Sequence, residues 1–286
     1  MDLYSVTEVH RGPSLPRWRP GDAWLAGGTV VFSQPQPDVT RLLDLTALGW
    51  PALRVEADGL EIAATCTIAD LLAWRPPPAW RAARAVIGPC CDAFLASSTV
   101  WNVATVGGNL CTALPAGPMI ALAVALDGGC ALWGPDGGRR RVAARDFVTG
   151  PGTTVLRPGE LLRSVHLPGR ALTARAAVRQ FSLRPLGRSA ALLVGVRDAG
   201  CLALTVTAAT SRPVVVELPP RPDAAQVRGA LLDAIPPRLY HDDVHGDPAW
   251  RQHLTLTLAE QLRVELLDPL HDQAGATAGD REEAAG

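Results

Sequence analysis

The chain has 286 residues, 48% of them hydrophobic and 19% charged, with a formal net charge of −1. This is a globular composition with length for a sizeable core, organised as two domains or so. The near-neutral balance supplies no basic field for nucleic acid or anionic lipid, and no apolar run reaches the roughly 18–20 residues of a membrane helix.

The N-terminal stretch MDLYSVTEVHRGPSLPRWRP is mixed in charge and has no apolar signal region, so a cytoplasmic protein is expected. Pro13, Pro16 and Pro20 keep any helix there short. DAWLAGGTVVF, residues 22–32, reads as a strand, a glycine turn and a return into apolar chain. TRLLDLT reads as a short strand or a helix-to-strand passage. LRVEADGLEIAAT holds two β runs around Asp58-Gly59, a hairpin signal. TIADLLAW is a helix begun by Thr67 as N-cap and ended before RPPP. Helical patches are expected on either side of Gly88-Pro89.

A buried helix over Met119 to Leu126 follows, then strand, glycine-rich turn and strand. LRPGELLRSVHLP is a turn and a strand. From Arg175 to Leu218 the pattern is mostly extended, with RDAG (197–200) as a hairpin turn. DAAQVRGALLDAI and PAWRQHLTLTLAEQLRVELL carry apolar spacing near 3.6 and are helices. The tail, residues 271–286, is polar and small in composition and is expected to be disordered. The whole is α+β, with a compositional seam near Pro168 to Thr173.

The six cysteines, at 66, 90, 91, 111, 130 and 201, form no C-x-x-C pair. Reduced thiols, several in the core, are expected rather than zinc or iron–sulfur ligands. YHDDVHGD (240–247) contains two histidines, but no periodic element sets them on one face, and a solvated loop is expected. Trp24 and Trp101 sit in apolar runs and are expected in the core. Among Trp18, Trp74, Trp80 and Trp250, which lie between Arg, Pro and Gln, at least one is expected as an exposed anchor for a partner.

Two stretches raise a chemical question. LAGGTV (25–30) and WNVATVGGNL (101–110) each interrupt apolar chain with a glycine pair and small hydrogen-bonding residues. A diphosphate needs backbone N–H groups turned into one concavity and side chains small enough for its oxygens to approach to about 2.9 Å. Glycine permits that approach and tolerates positive φ. Gly27, Gly28 and Thr29 meet the requirement, as do Thr105, Gly107, Gly108 and Asn109, while Val103 and Val106 are expected to pack inward and hold the second loop. No G-x-x-x-x-G-K-[ST], no G-x-G-x-x-G opening a helix, no G-x-S-x-G and no H-E-x-x-H is present, so a P-loop, a Rossmann site and the common hydrolase sites are not expected.

Five segments occur in register: WLAGGTVVF, DGLEIAATCTIADL, WNVATVGGNLCTALPAG, RVAARDFVTGPGTTVLRPGELLRSVHLP and FSLRPLGRSAALLVGV. Together they resemble the FAD-binding medium subunit of the xanthine dehydrogenase and carbon monoxide dehydrogenase family of molybdenum hydroxylases, from about Asp22 to about Val264. The resemblance implies a vanillyl-alcohol-oxidase (PCMH) type FAD-binding domain of two α/β lobes, about 1–54 and 55–170. A small antiparallel sheet with helices over 171–270 would follow.

The resemblance also implies site residues. Ala26, Gly27, Gly28 and Thr29 match the family's first diphosphate loop, and Thr105, Val106, Gly107, Gly108 and Asn109 its second. Leu95 matches an apolar residue touching the nucleotide. Leu161 or Leu162 matches the leucine near the isoalloxazine ring, and Arg184, with Arg188 four residues on, a cationic pair that is Lys and Arg in the family. Val30, Trp101 and Pro118 depart from the pattern, standing where Asp or Asn, Arg or Lys, and a cofactor-bonding Asp are usual. No catalytic acid or base and no metal ligand is implied.

The implied activity is that of an oxidoreductase subunit: electrons arrive from a [2Fe-2S] small subunit served by a molybdopterin large subunit and pass through FAD to NAD or another acceptor. The same loops also allow a stand-alone FAD-dependent oxidoreductase acting on a small molecule, or an assembly subunit without flavin.

Overall fold

The computed structural model describes residues 3–268, and the architecture below is that of those residues. Glu8–His10 (β1), Asp22–Leu25 (β2) and Arg41–Asp44 (β3) form a small parallel sheet in the order β1-β3-β2. Parallel neighbours need a crossover, and the β2–β3 crossover contains the first glycine pair. Charge pins this sheet. Arg41 is 6% exposed and Asp22 8%, and the guanidinium donates to both carboxylate oxygens, at 2.7 and 2.6 Å. Burial alone would raise the Asp22 carboxyl; the Arg41 bonds and the Arg19 N–H outweigh it and hold the group below its usual range.

Leu53–Glu56 (β4) and Gly59–Ala63 (β5) make the expected hairpin, with Ala57-Asp58 as its turn and Gly59 already paired to Glu56. Ile68–Ala73 (α1) starts at Thr67, whose hydroxyl accepts the Asp70 N–H while the Asp70 carboxylate accepts the Thr67 N–H, a reciprocal cap. Arg81–Asp92 (α2) runs unbroken through Gly88 and Pro89, where separate helical patches were expected. Pro89 forfeits a backbone bond, but Ala82, Ala83, Val86, Ile87, Cys90 and Cys91 are buried, and that stripe outweighs the loss.

Ser98–Trp101 (α3), Val106–Thr112 (α4) and Pro118–Ala125 (α5) follow. Every residue of α5 is buried, as suits a helix apolar on all sides. Gly129–Trp133 (β6) and Arg139–Ala143 (β7) form a hairpin. Ala144–Phe147 (α6), Val148–Gly150 (β8) and Thr153–Thr154 (β9) lead to Leu161–Pro168 (β10), which inserts between β5 and β6. The resulting antiparallel sheet has the order β4-β5-β10-β6-β7. Leu60, Ile62, Cys130, Leu132, Val165 and Leu167 point from it into the helical core.

Gly169–Thr173 (α7) links to an antiparallel meander of Arg175–Ser182 (β11), Ser189–Arg197 (β12), Leu202–Thr207 (β13) and Val214–Leu218 (β14). Ala224–Ala234 (α8) and Pro248–Leu267 (α9) cover its outer face, each started by an aspartate cap, Asp223 and Asp247. β12 is buried on both sides: Leu192 and Val194 join the core of the N-terminal helices, Ala191 and Leu193 the core under α8 and α9. A near-continuous apolar run is the sequence form of such a strand.

The expectation of an exposed tryptophan anchor is corrected. Trp18 packs on Trp24 and Trp74 on Trp80, while Phe181 meets Trp250. All of these tryptophans are half-buried, Trp24 and Trp101 included. The large exposed apolar side chains are instead Phe32, Leu183, Leu186 and Val244 among others. The 240–247 loop is held by Arg251, which is 1% exposed, pairs with Asp243 and donates to the carbonyls of Ala190 and Ala208. Cys66, Cys90, Cys91 and Cys130 are buried free thiols, as expected. No helix among the described residues is long and apolar enough to cross a membrane. The tail at 271–286 lies outside the described residues.

Candidate cofactor-binding site

A cavity of about 540 Å³ opens between the parallel sheet, the helices α3 to α5 and the start of β10. Ala26, Gly27, Gly28 and Thr29 line one side, and Thr105, Gly107, Gly108 and Asn109 line another. Leu95, Leu161 and Leu162, also expected, line it as well. Two expected residues stand outside the lining. The Val106 side chain is 1% exposed and lies in the main core. Arg184 is exposed on the β11–β12 connection, and it is Arg188 from the same connection that reaches the cavity.

The glycines have different reasons to be glycine. A Cβ on Gly27 would stand 1.8 Å from the Val103 carbonyl oxygen, so this residue is where the two loops touch. Gly28 has φ +72°, a left-handed turn that other residues resist. A Cβ on Gly107 would sit 2.4 Å from the Ala64 Cβ, so Gly107 serves loop packing and not ligand approach. Gly108 is the least crowded of the four, with only the Thr105 hydroxyl oxygen, at 2.9 Å, near its missing Cβ. Val103, expected to pack inward, is 44% exposed; its backbone makes the contact with Gly27.

The backbone donors divide in the same way. In the second loop the Val106 N–H donates to the Cys66 carbonyl, Gly107 to Ala64, Gly108 to the Thr105 hydroxyl and Asn109 to the Thr105 carbonyl, all between 2.8 and 3.0 Å. Thr105 is thus the N-cap of α4. In the first loop the carbonyls of Gly28 and Val30 accept from Phe32 and Ser33, and the N–H groups of Gly27, Gly28 and Thr29 have no partner among the described residues. The donors that a phosphate could recruit lie on the first loop. On the second, the Asn109 side-chain carbonyl accepts the Met119 N–H at 3.0 Å, which leaves its amide nitrogen as the remaining donor.

The three departures fall in different places. Val30 and Pro118 line the cavity, Pro118 as the first residue of α5. Trp101 does not line it, and its indole nitrogen is buried without a partner among the described residues. Leu95 keeps φ +43° at the cavity wall, a left-handed conformation costing a leucine about 1 kcal/mol or more.

Glu160 also lines the cavity. Two bonds from Arg140, at 2.8 and 2.6 Å, hold its carboxyl down to about 2, against the opposing effect of burial and with help from the Arg157 N–H. It is therefore a fixed anion and not a proton donor near neutral pH. Its carbonyl accepts the Trp24 indole N–H at 3.2 Å. Cys111 lines the cavity as an exposed free thiol.

Phe94, Val100, Leu114 and Leu156 are wall residues that sequence reasoning missed. They lie on turns and short helices whose facing only the tertiary fold decides. Trp24 carried a readable signal, since on β2 it shares a face with Ala26 two residues on. The site thus offers unpaired N–H donors and one guanidinium beside extended apolar walls. Those features fit a ligand with both a diphosphate and a planar ring system.

The family model for the FAD binding domain in molybdopterin dehydrogenase matches residues 13–170. The carbon monoxide dehydrogenase medium chain of Afipia carboxidovorans is 37% identical over 75 residues, which is 26% of this chain and 26% of that relative. The match therefore spans about a quarter of the relative's own length. Among solved structures, quinoline 2-oxidoreductase from Pseudomonas putida 86 is similar with a TM-score of 0.74 and 18% identity, over 93% of this chain and 98% of that one. Carbon monoxide dehydrogenase from Hydrogenophaga pseudoflava gives 0.72 and 21%, over 85% and 88%. At these identities the likeness carries the fold, and it bears out the expected α+β arrangement of FAD-binding domain and antiparallel C-terminal sheet with helices. Since residues 13–170 are more than half of the chain, the protein belongs to the family of FAD-binding domains of molybdopterin dehydrogenases.

Proposed function

We propose that this chain is the FAD-carrying electron-transfer subunit of a molybdenum hydroxylase. It would take electrons from a [2Fe-2S] small subunit, fed by a molybdopterin large subunit, and pass them to NAD or another acceptor in the cytoplasm. The observation that carries this reading is the set of N–H groups at Gly27, Gly28 and Thr29 without a partner among the described residues, on a loop that lines one cavity together with Gly108. Bound FAD supplies the redox chemistry; the chain positions it.

In this reading the first loop and Arg188 hold the diphosphate, and Asn109 donates its amide. Leu95, Leu161 and Leu162 exclude water from the ring. Arg140 keeps Glu160 ionised, so no side chain here offers or takes a proton, in keeping with a relay of electrons. We take 1–170 as the FAD-binding unit, with lobes near 1–54 and 55–170, and 171–270 as the C-terminal unit.

Co-expression with the two other subunits tests the proposal. The expected result is a complex on size exclusion containing flavin, iron and molybdenum, with flavin retained longer than in the chain alone. A flavin-replete monomer that ignores both subunits and oxidises a small molecule would instead favour a stand-alone oxidoreductase. A colourless chain inside the complex would favour an assembly subunit.

A further inference from the structure

Glu56 at the end of β4, Asp58 in the turn that follows and His166 on β10 come together on the outward face of the five-stranded sheet. Leu60, Ile62, Val165 and Leu167 point into the core, and side chains alternate along a strand. His166 therefore faces outward, as does Glu56, which pairs with Gly59. The two lie two strands apart, where backbones stand about 9–10 Å from each other. Yet one ligand atom from each of Glu56, Asp58 and His166 lies within 4.8 Å of the other two.

The backbone sets this convergence. A Cβ on Gly59 would stand 2.1 Å from the Leu167 carbonyl oxygen, so glycine is what lets the hairpin close on β10. The Asp58 carbonyl accepts the Gly169 N–H at 2.7 Å, which fastens the turn to the end of β10 without any side chain. The His166 side chain is 14% exposed and makes no hydrogen bond among the described residues; its Nε2 stops 3.5 Å from Asp58 Oδ2. That is longer than an ordinary hydrogen bond. It matches two ligands of a tetrahedral ion, which at zinc bond lengths stand about 3.3–3.4 Å apart. Arg54 pairs with Glu56 Oε1 at 2.8 Å and so orients that carboxylate from behind. Neighbouring Glu61 is engaged by Arg54 and Arg163.

We propose that Glu56, Asp58 and His166 form a site for one divalent cation of the zinc class. One imidazole nitrogen with two carboxylate oxygens suits such an ion better than calcium or magnesium, which take oxygen ligands, and the fourth position is left to water. None of the three residues lines the flavin cavity. His166 lies five residues along β10 from Leu161, roughly 17 Å at the strand rise, so the site stands independently of the flavin reading. The ion cross-links the β4–β5 turn to β10 where the chain leaves for α7.

Calorimetric titration of the full chain with Zn²⁺, after metal is stripped by a chelator, tests this together with X-ray absorption at the zinc edge of the loaded protein. One saturable site is expected, with nitrogen and oxygen neighbours at about 2.0–2.2 Å. His166→Ala should weaken it by at least about tenfold. Asp58→Asn should do the same. The Asp58 side chain is exposed, so the metal-free melting temperature of Asp58→Asn should equal the parent's, which separates a lost ligand from a lost fold. Zn²⁺ should raise the melting temperature of the parent more than that of Asp58→Asn. Cys111→Ser, which removes an exposed thiol elsewhere, should keep the site. The absence of saturable binding overturns the proposal. So does unchanged affinity in Asp58→Asn, and so does sulfur at about 2.3 Å from the ion.

Discussion

Gly108→Val should leave a folded protein that no longer retains FAD. Gly108 lines the cavity, and an added Cβ would meet only the Thr105 hydroxyl oxygen, at 2.9 Å, which can shift, so the valine takes volume the cofactor would need. A bulky group forced into an occupied volume costs up to about 3 kcal/mol, which is roughly a hundredfold loss of affinity or more. Gly107→Val should behave differently. Its Cβ would meet Ala64 at 2.4 Å, so it should damage the loop junction and the fold with it. Flavin titration beside thermal melting separates the two. Stoichiometric flavin in Gly108→Val would mean that this side of the loop does not face the cofactor.

Arg41→Ala should be the most destabilising single change in the N-terminal sheet. It leaves Asp22, 8% exposed, without the guanidinium that satisfies both of its oxygens. Removing one partner of a buried pair costs about 3–5 kcal/mol, a fall in melting temperature of roughly 10 °C. The effect reaches the site because β2 delivers the chain into Ala26 to Thr29. Asp22→Leu/Arg41→Leu should recover much of the loss, since an apolar pair leaves no orphaned charge. A single variant within 1 kcal/mol of the parent by denaturant titration would show that the pair does not hold the sheet.

The elements legible in the sequence were those set by local chemistry. Thr67 and Asp70 announce their helix through a cap, and β12 announces its double burial through an unbroken apolar run. The glycine loops were legible as loops, and their meeting at one cavity followed from resemblance. What each glycine does was not legible, because it depends on partners far along the chain: Val103 for Gly27 and Ala64 for Gly107. The continuity of α2 through Pro89 was hidden for a similar reason, as the stripe that holds it is paid for by burial against other elements. Arg184 and Arg188 are equivalent in sequence, and only the course of the β11–β12 connection turns Arg188 inward.

Hydrogen exchange of the backbone amides, compared between apoprotein and FAD-saturated protein, tests the division of labour between the two loops. The amides of Gly27, Gly28 and Thr29 have no protein partner among the described residues and should slow by about tenfold or more when FAD binds. Those of Val106 to Asn109 are already bonded to Cys66, Ala64 and Thr105 and should change much less. Protection confined to residues 105–109, with none at 27–29, would contradict the account.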